Sequence, residues 1–301
     1  MIKLSSGEKI FQVCVYILLI LLGIVTLYPF WNAIVISFNA GADTARGDIT
    51  LWPRVFTLDN YQLVFEDGRL TYAFLISVLR VLIGTTLSVS LTSMLAYGLS
   101  KTKILLFKPY MFYCIFTMFF SGGLIPSFVL NKELHLNNTF WVLIIPSLIS
   151  VYNMIIFRTF FRELPDGLEE SARIDGCTNI GTFVRIVIPV SGPVFATLAL
   201  FTAVYHWNDW FTAAIYINKM NLLPISSILQ QILNSNLATE MLATQTGGNA
   251  SAIDAVGKLQ TVTSKSLSMA TMLVASMPII LIYPFLQKYF VKGVLVGSIK
   301  G

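Results

Sequence analysis

Three groups of residues in this 301-residue chain have the types and spacing to do chemistry. The first is Pro165-Asp166-Gly167-Leu168-Glu169-Glu170-Ser171-Ala172-Arg173-Ile174-Asp175-Gly176. Only 12% of the chain is charged, yet five charged side chains crowd this short run, so it stands out as a polar island. Asp166 is expected as an N-cap, with Glu169 three residues on as its capping-box partner. Carboxylates in or near the first turn suit the positive end of the helix dipole. Gly176 offers a stop that tolerates positive φ. These residues predict a short polar helix closed by a sharp turn. Its chemistry would be docking: Glu169, Glu170 and Asp175 offer charge-assisted contacts, and the small Ser171 and Ala172 permit close approach. Asp175 and Gly176 could equally serve only to set the turn.

The second group is Trp207-Asn208-Asp209-Trp210, preceded by Tyr205. Aromatic faces can stack on sugar rings while Asn and Asp bind hydroxyls. The same aromatics also suit an interfacial belt. Tyr152 and Asn153 form a polar pair that could face the same cavity. The third is Arg80, a cation inside an apolar stretch. Such a charge faces a cavity or finds a partner. Pairing with a carboxylate, snorkelling outward and lining a translocation cavity are all open readings.

Apolar helices must position these groups. The chain is 55% hydrophobic with mean hydropathy +0.74, above the range of soluble domains. Several apolar stretches reach the ~20 residues that cross a bilayer core. The fold is predicted to be an all-α membrane protein with six spans near 11–38, 72–98, 107–130, 139–161, 186–213 and 267–290. The first is too long for a cleaved signal peptide. With both termini cytoplasmic, the inner segments hold twelve of the twenty Lys and Arg residues. The much longer outer loops hold seven, as the positive-inside rule requires. The net charge of +5 therefore reports topology and gives no reason to expect nucleic acid.

Within the second span, Gly84, Ser88, Thr92 and Ala96 form a small-residue stripe for close helix packing. Ser121-Gly122-Gly123-Leu124-Ile125-Pro126, Pro146, Pro278 and Pro284 should break or bend spans. In the loop 39–71, Thr57 should cap a short helix through Phe65. After Pro224, the residues Ile225, Ile228, Leu229, Ile232 and Leu233 recur at helical spacing, and a polar run at 243–257 follows, with Gly247-Gly248 as its flexible point.

Several chemistries lack their residues. Cys14, Cys114 and Cys177 have no metal or disulfide pattern, and neither His135 nor His206 has a ligand at useful spacing. Gly257-Lys258 is followed by Leu259, where a phosphate-binding loop needs Ser or Thr. Asn137-Asn138-Thr139 and Asn249-Ala250-Ser251 match a glycosylation pattern by chance if the source is bacterial. The spans lack the repeated carboxylates of many ion-coupled carriers. No catalytic, cofactor-binding or metal-binding residue is expected.

Glu170-Ser171-Ala172-Arg173-Ile174-Asp175-Gly176-Cys177, with Phe183 and Ile188-Pro189 downstream, resembles the cytoplasmic loop of binding-protein-dependent ABC importer permeases. The family pattern is Glu-Ala-Ala, two residues, Asp-Gly-Ala, then Phe and Pro; Ser171 and Cys177 are small-for-small departures. The Trp207-Asn208 element and the tail from Tyr289 to Gly301 resemble carbohydrate-type permeases, the tail that of the maltose-permease G-type subunit. Ser121 to Pro126 and Tyr283 to Lys288 are most similar to oligosaccharide and polysaccharide permeases.

This resemblance implies a type I ABC importer permease fold. The chain would divide into an N-terminal span and outer loop (1–71), a transmembrane core (72–290) with coupling helices near 166–185, and a cytoplasmic tail (291–301). It implies that Glu169, Glu170, Ser171, Ala172, Asp175 and Gly176 couple to an ATPase, with ATP and magnesium bound there. The other implied partners are a second permease, an extracytoplasmic solute-binding protein, membrane lipid and an oligosaccharide. Arg80, Tyr152, Asn153, Trp207, Asn208, Asp209 and Trp210 are the candidates for the substrate pathway. Gly293, Gly297 and Gly301 would permit an extended tail. The alternative is an ion-coupled secondary transporter.

Overall fold

The computed structural model describes residues 6–66, 68–101, 105–245 and 263–298. Gly247-Gly248, Asn249-Ala250-Ser251 and the last three residues of the tail lie outside them. Helices dominate the described residues, with one isolated bridge between Asn39 and Phe56. The chain divides into two compact units, Met1–Gly68 with Leu229–Ser276, and Arg69–Ile228 with Met277–Gly301.

The first unit opens with α1, Ser6–Ser37, which has Pro29 inside it. Its apolar residues surround the helix, and none of its most apolar window is buried by the rest of the chain. A helix that is hydrophobic all round belongs in lipid or against another apolar partner. The loop after α1 is tied back by polar contacts. Asn39, fully buried, donates to Asp43 Oδ2 at 3.0 Å and Thr44 Oγ1 at 3.1 Å. Arg54 closes an ion pair on the same carboxylate at 3.0 Å. Burial opposes charge on Asp43, but the bonds from Asn39 and Arg54, with the charges of Arg54 and Arg46, hold its pKa below the ordinary carboxylate value. Thr57 Oγ1 accepts the Asp59 N–H at 3.1 Å at the start of α2, Asp59–Glu66, as its type and position predict. Asn60 of α2 donates to the Ser37 and Asn39 carbonyls and accepts from Ser266 Oγ at 2.8 Å.

The second unit is built on α3, Gly68–Ser100. Its buried face runs through Ala73, Ser77, Gly84, Ser88, Thr92 and Ala96, extending the predicted stripe by two steps. Gly84 is required there. A Cβ at this position would lie 2.7 Å from His206 Nε2, closer than such atoms approach. Around this stripe, Met154, Phe157, Phe161, Phe183, Val187 and Leu198 pack with Ala96 and Leu99. A second cluster joins Val142, Leu143 and Ile144 to Ala213, Tyr216, Ile217 and Leu223.

Three of the six expected spans are bent pairs, two of them where the sequence marks a break. Phe107–Phe119 (α4) and Leu124–Glu133 (α5) meet at 112°. The break falls at Gly122-Gly123, where Gly123 has φ +86°. Turns over Phe140–Ser147 and the helix Val151–Arg162 (α6) meet at 50°. Asn179–Val190 and Gly192–Asn208 meet at 86°, so the span expected at 186–213 is interrupted at Ser191 and again at Asp209. Pro189 and Pro193 flank the first break, each removing a backbone donor. Among the described residues, three helices are long and apolar enough to cross a membrane, or up to six if each bent pair is one span. Ile225–Gln245 is helical as the spacing predicts, and continues beyond Leu233. The last helix, Ser264–Ser298, contains Pro278 and Pro284 and includes residues 291–298, so this part of the tail is not extended. Gly293 and Gly297 cost helix propensity there, but each stands singly among better helix formers.

Candidate functional site

The polar island folds as α7, Asp166–Ile174. Its start differs from the expected capping box. Pro165 holds the N-cap position with φ −59° and ψ 129°, and no side chain caps the helix. Asp166 is instead the first helical residue. The proline ring presets the entry angle, and the Asp166 carboxylate acts through the helix dipole rather than through a cap bond. Glu169 does not turn back to the helix start; it forms an ion pair with Lys101 at the end of α3.

The other end matches its expectation in detail. Gly176 has φ +79°. Its N–H bonds to Arg173 O at 3.0 Å, and the Cys177 N–H bonds to Ala172 O at 2.9 Å. This pair of bonds is a Schellman motif, which needs a left-handed residue where Gly176 stands. Thr178 Oγ1 then accepts the Gly181 N–H at 3.1 Å and starts the next helical turn. Asn179–Thr182 leads into a π-helical segment, Phe183–Val187. The island is therefore a helix, a tight turn and a second helix.

Its faces are unequal. Ala172 is buried against its own chain, while Glu170, Ser171, Asp175 and Gly176 are exposed. Ile174 is 87% exposed, the most open large apolar side chain on this helix. It was not singled out by sequence reasoning, because an Ile in a helix reads as core until its face is known. Its exposure makes the outer surface of α7 a polar rim around one apolar knob. That combination suits docking onto a protein surface.

The second candidate group forms a locked junction. Arg80 is fully buried. Its Nε donates to Leu143 O at 3.2 Å and its Nη1 to Asp209 O at 2.6 Å, while its other terminal nitrogen pairs with the Asp209 carboxylate. Asp209 Oδ1 also accepts the Thr212 N–H at 3.1 Å, capping the short helix Phe211–Tyr216. A fixed guanidinium fork thus bridges three backbone or side-chain oxygens at a place where two helices stop. Trp207 is buried, with its ring edge-on to Phe74 at 5.8 Å. His206 is buried beside Gly84. Neither His206 nor Gly84 was marked as a site residue in the sequence, since their contact joins distant positions.

The side chains of the remaining candidates are not drawn into that junction. Asn208 is exposed, and Trp210 is 38% exposed. Tyr152 is 59% exposed, whereas its neighbour Asn153 is half-buried and donates to Thr202 Oγ1 at 3.3 Å. The structure thus brings Arg80, Asp209 and Trp207 into packed protein and leaves Asn208, Tyr152 and Trp210 at the chain's surface.

The sequence pattern of the family described as binding-protein-dependent transport system inner membrane component matches residues 88–296. A polygalacturonan/rhamnogalacturonan transport system permease protein of Bacillus subtilis, YtcP, is 38% identical over 98% of this chain and 99% of its own length. An arabinooligosaccharides transport system permease protein of Halalkalibacterium halodurans, AraQ, is 30% identical over 92% of each chain. A solved chain from a bacterial ABC transporter involved in import of the acidic polysaccharide alginate superposes with a TM-score of 0.84 at 24% identity. It covers 96% of this chain and all of that one, a likeness of fold.

Proposed function

The chain belongs to the family of binding-protein-dependent transport system inner membrane components, and we propose from that premise that it is the permease of an ATP-driven importer for an oligosaccharide or polysaccharide fragment. It is a multi-pass component of the bacterial cell membrane and a transport subunit rather than an enzyme. Relatives named for polygalacturonan, rhamnogalacturonan and arabinooligosaccharide transport support the sugar class. The proposed topology counts each bent pair as one span, which gives six spans with both termini and α7 on the cytoplasmic side. The contact of Lys101 with Glu169 supports this, because it brings the end of the second span and the island to one place.

The observation that carries the reading is the form of α7. A small residue, Ala172, seats it, a Schellman turn fixes it, and Glu170, Asp175 and Ile174 remain free to meet another protein. In the proposed assembly an ATPase subunit takes this surface, and a second permease with its own ATPase completes the transporter. ATP and magnesium bind to the ATPases. A solute-binding protein docks on the opposite side, where 39–71 is a candidate contact. ATPase closure favours an outward-open state because that state is the one in which the docked helices are close together; binding energy shifts the population toward it. Arg80 and Asp209 neutralise each other, which leaves no free carboxylate there to bind a coupling ion and disfavours an ion-coupled carrier.

The test is purification of the tagged permease with its ATPase, followed by ATP-driven uptake in proteoliposomes. Wild-type protein should retain the ATPase. Glu170→Lys and Gly176→Asp should reach the membrane in normal amount yet lose coupling or assembly. Normal uptake by both variants would refute the assignment.

A further inference from the structure

We propose that Lys101 and Glu169 form a strut that carries the motion of α7 into α3, so that Glu169 is a positioning residue and not an ATPase contact. This rests on the importer reading. Lys101 follows α3 directly, and its ammonium ion-pairs with Glu169 in the middle of α7. The carboxylate is the more covered partner, with 15% of its side chain exposed against 33% for Lys101. Glu169 therefore points into its own chain, unlike its exposed neighbour Glu170.

The pair is braced. Lys101 Nζ lies 4.5 Å from the centre of the Tyr97 ring, one turn back on α3. Tyr97 in turn packs on Phe183 at 5.0 Å and Phe161 at 6.1 Å. Those rings stand on the segments that leave and enter the island, so one aromatic residue of α3 touches both flanks of α7. Arg158 adds a further tie by donating to Leu99 O at 2.9 Å, on one of the carbonyls that a helix end leaves open. A push on α7 thus meets the end of α3 through a charge pair and packed rings.

What α3 would deliver is visible farther along it, at Arg80 in its N-terminal half. Arg80 lies about 30 Å from Lys101 along the helix rise, and there it binds Asp209, where the helix Gly192–Asn208 stops. The buried stripe between the two has small residues at the contact and a continuous helix, so it can move as a rigid body. The island and the Asp209 junction are then two ends of one lever.

The experiment uses the assembled complex in nanodiscs, with Cys14→Ser, Cys114→Ser and Cys177→Ser as background and an environment-sensitive fluorophore on Tyr72→Cys, an exposed site in the first turns of α3. Fluorescence is read before and after ATP with vanadate, and ATPase retention is read by co-elution. Lys101→Glu, Glu169→Lys and the milder Lys101→Gln should keep the ATPase bound while the nucleotide signal falls at least about fivefold. The exchanged pair Lys101→Glu with Glu169→Lys should restore it. Full signal in the single variants, no recovery in the exchanged pair, or loss of the ATPase from Glu169→Lys would each overturn the strut. A wild-type complex that holds its ATPase but gives no signal at Tyr72 would overturn it too. Wild-type permease that captures no ATPase at all would instead overturn the importer reading beneath it.

Discussion

At the scale of single residues, the polar groups of this chain divide into those that face its own interior and those that do not. Arg80 and Asp209 are interior, and removing one partner of such a buried pair costs about 3–5 kcal/mol because the other charge is stranded. Arg80→Met should lower the thermal midpoint of the solubilised complex sharply, and Arg80→Lys should not repair it, since an ammonium cannot reproduce the fork that holds Leu143 and Asp209. A midpoint unchanged in Arg80→Met would remove the junction from the account. Gly84→Ala should also destabilise, by about 1–3 kcal/mol, because its methyl would strike the His206 ring. The damage should shrink in the double variant with His206→Ala, read by the same melting assay. Asp43 shows a pH effect of known sign. Its pKa is lowered in the folded loop, so the contacts with Asn39 and Arg54 stabilise above the unfolded carboxylate pKa and are lost as pH falls through the lower folded value. Protection of the Asp43 and Thr44 amides, taken against the intrinsic exchange rate at each pH, should hold above the ordinary carboxylate pKa and fall away between it and the lower folded value. Protection that is lost above the ordinary value would contradict the assignment.

At the scale of elements, two breaks were legible and their angles were not. Gly123 and Pro146 mark bends because each changes what the backbone can do locally. The break at Ser191 was not expected, and the helix Ser264–Ser298 runs on through Pro278 and Pro284, where a break or bend was. The 112° and 86° turns follow from what the helices pack against, which a single sequence does not display. The small-residue stripe of α3 was readable for the same local reason. The capping box was not realised: Asp166 stands next to a proline that already fixes the helix entry, and Glu169 finds a cation from another helix. The turn after α7 was legible because only a residue tolerant of positive φ closes a Schellman motif, and Gly176 is the glycine in place. Gly176→Ala should cost about 1–2 kcal/mol from the left-handed backbone alone, as no side chain crowds the site. Thermal melts should show this loss, and Gly176→Asn should show less of it.

At the scale of the whole molecule, membrane class, helix content and family were readable from composition and one motif. The partners of buried groups were not, since Arg80 and Asp209 stand 129 positions apart and no local rule joins them. Ile174 was missed for a related reason: its exposure belongs to the folded surface and not to its residue type. Topology gives the broad test. Leu51→Cys, on the exposed loop after α1, should react with an impermeant thiol reagent from the outer face of intact cells. The docking claim has a sharper one. A photo-crosslinking residue is placed at Ile174 and activated in intact membranes. Burying an Ile at a protein contact is worth about 1.5–3 kcal/mol, so a group there should sit within bonding reach of its partner. A crosslink to the ATPase subunit is expected, formed from the cytoplasmic side and lost when the ATPase is stripped away. A group at Ile174 that reacts only from outside the cell, or that crosslinks to no other polypeptide in the assembled transporter, would contradict it.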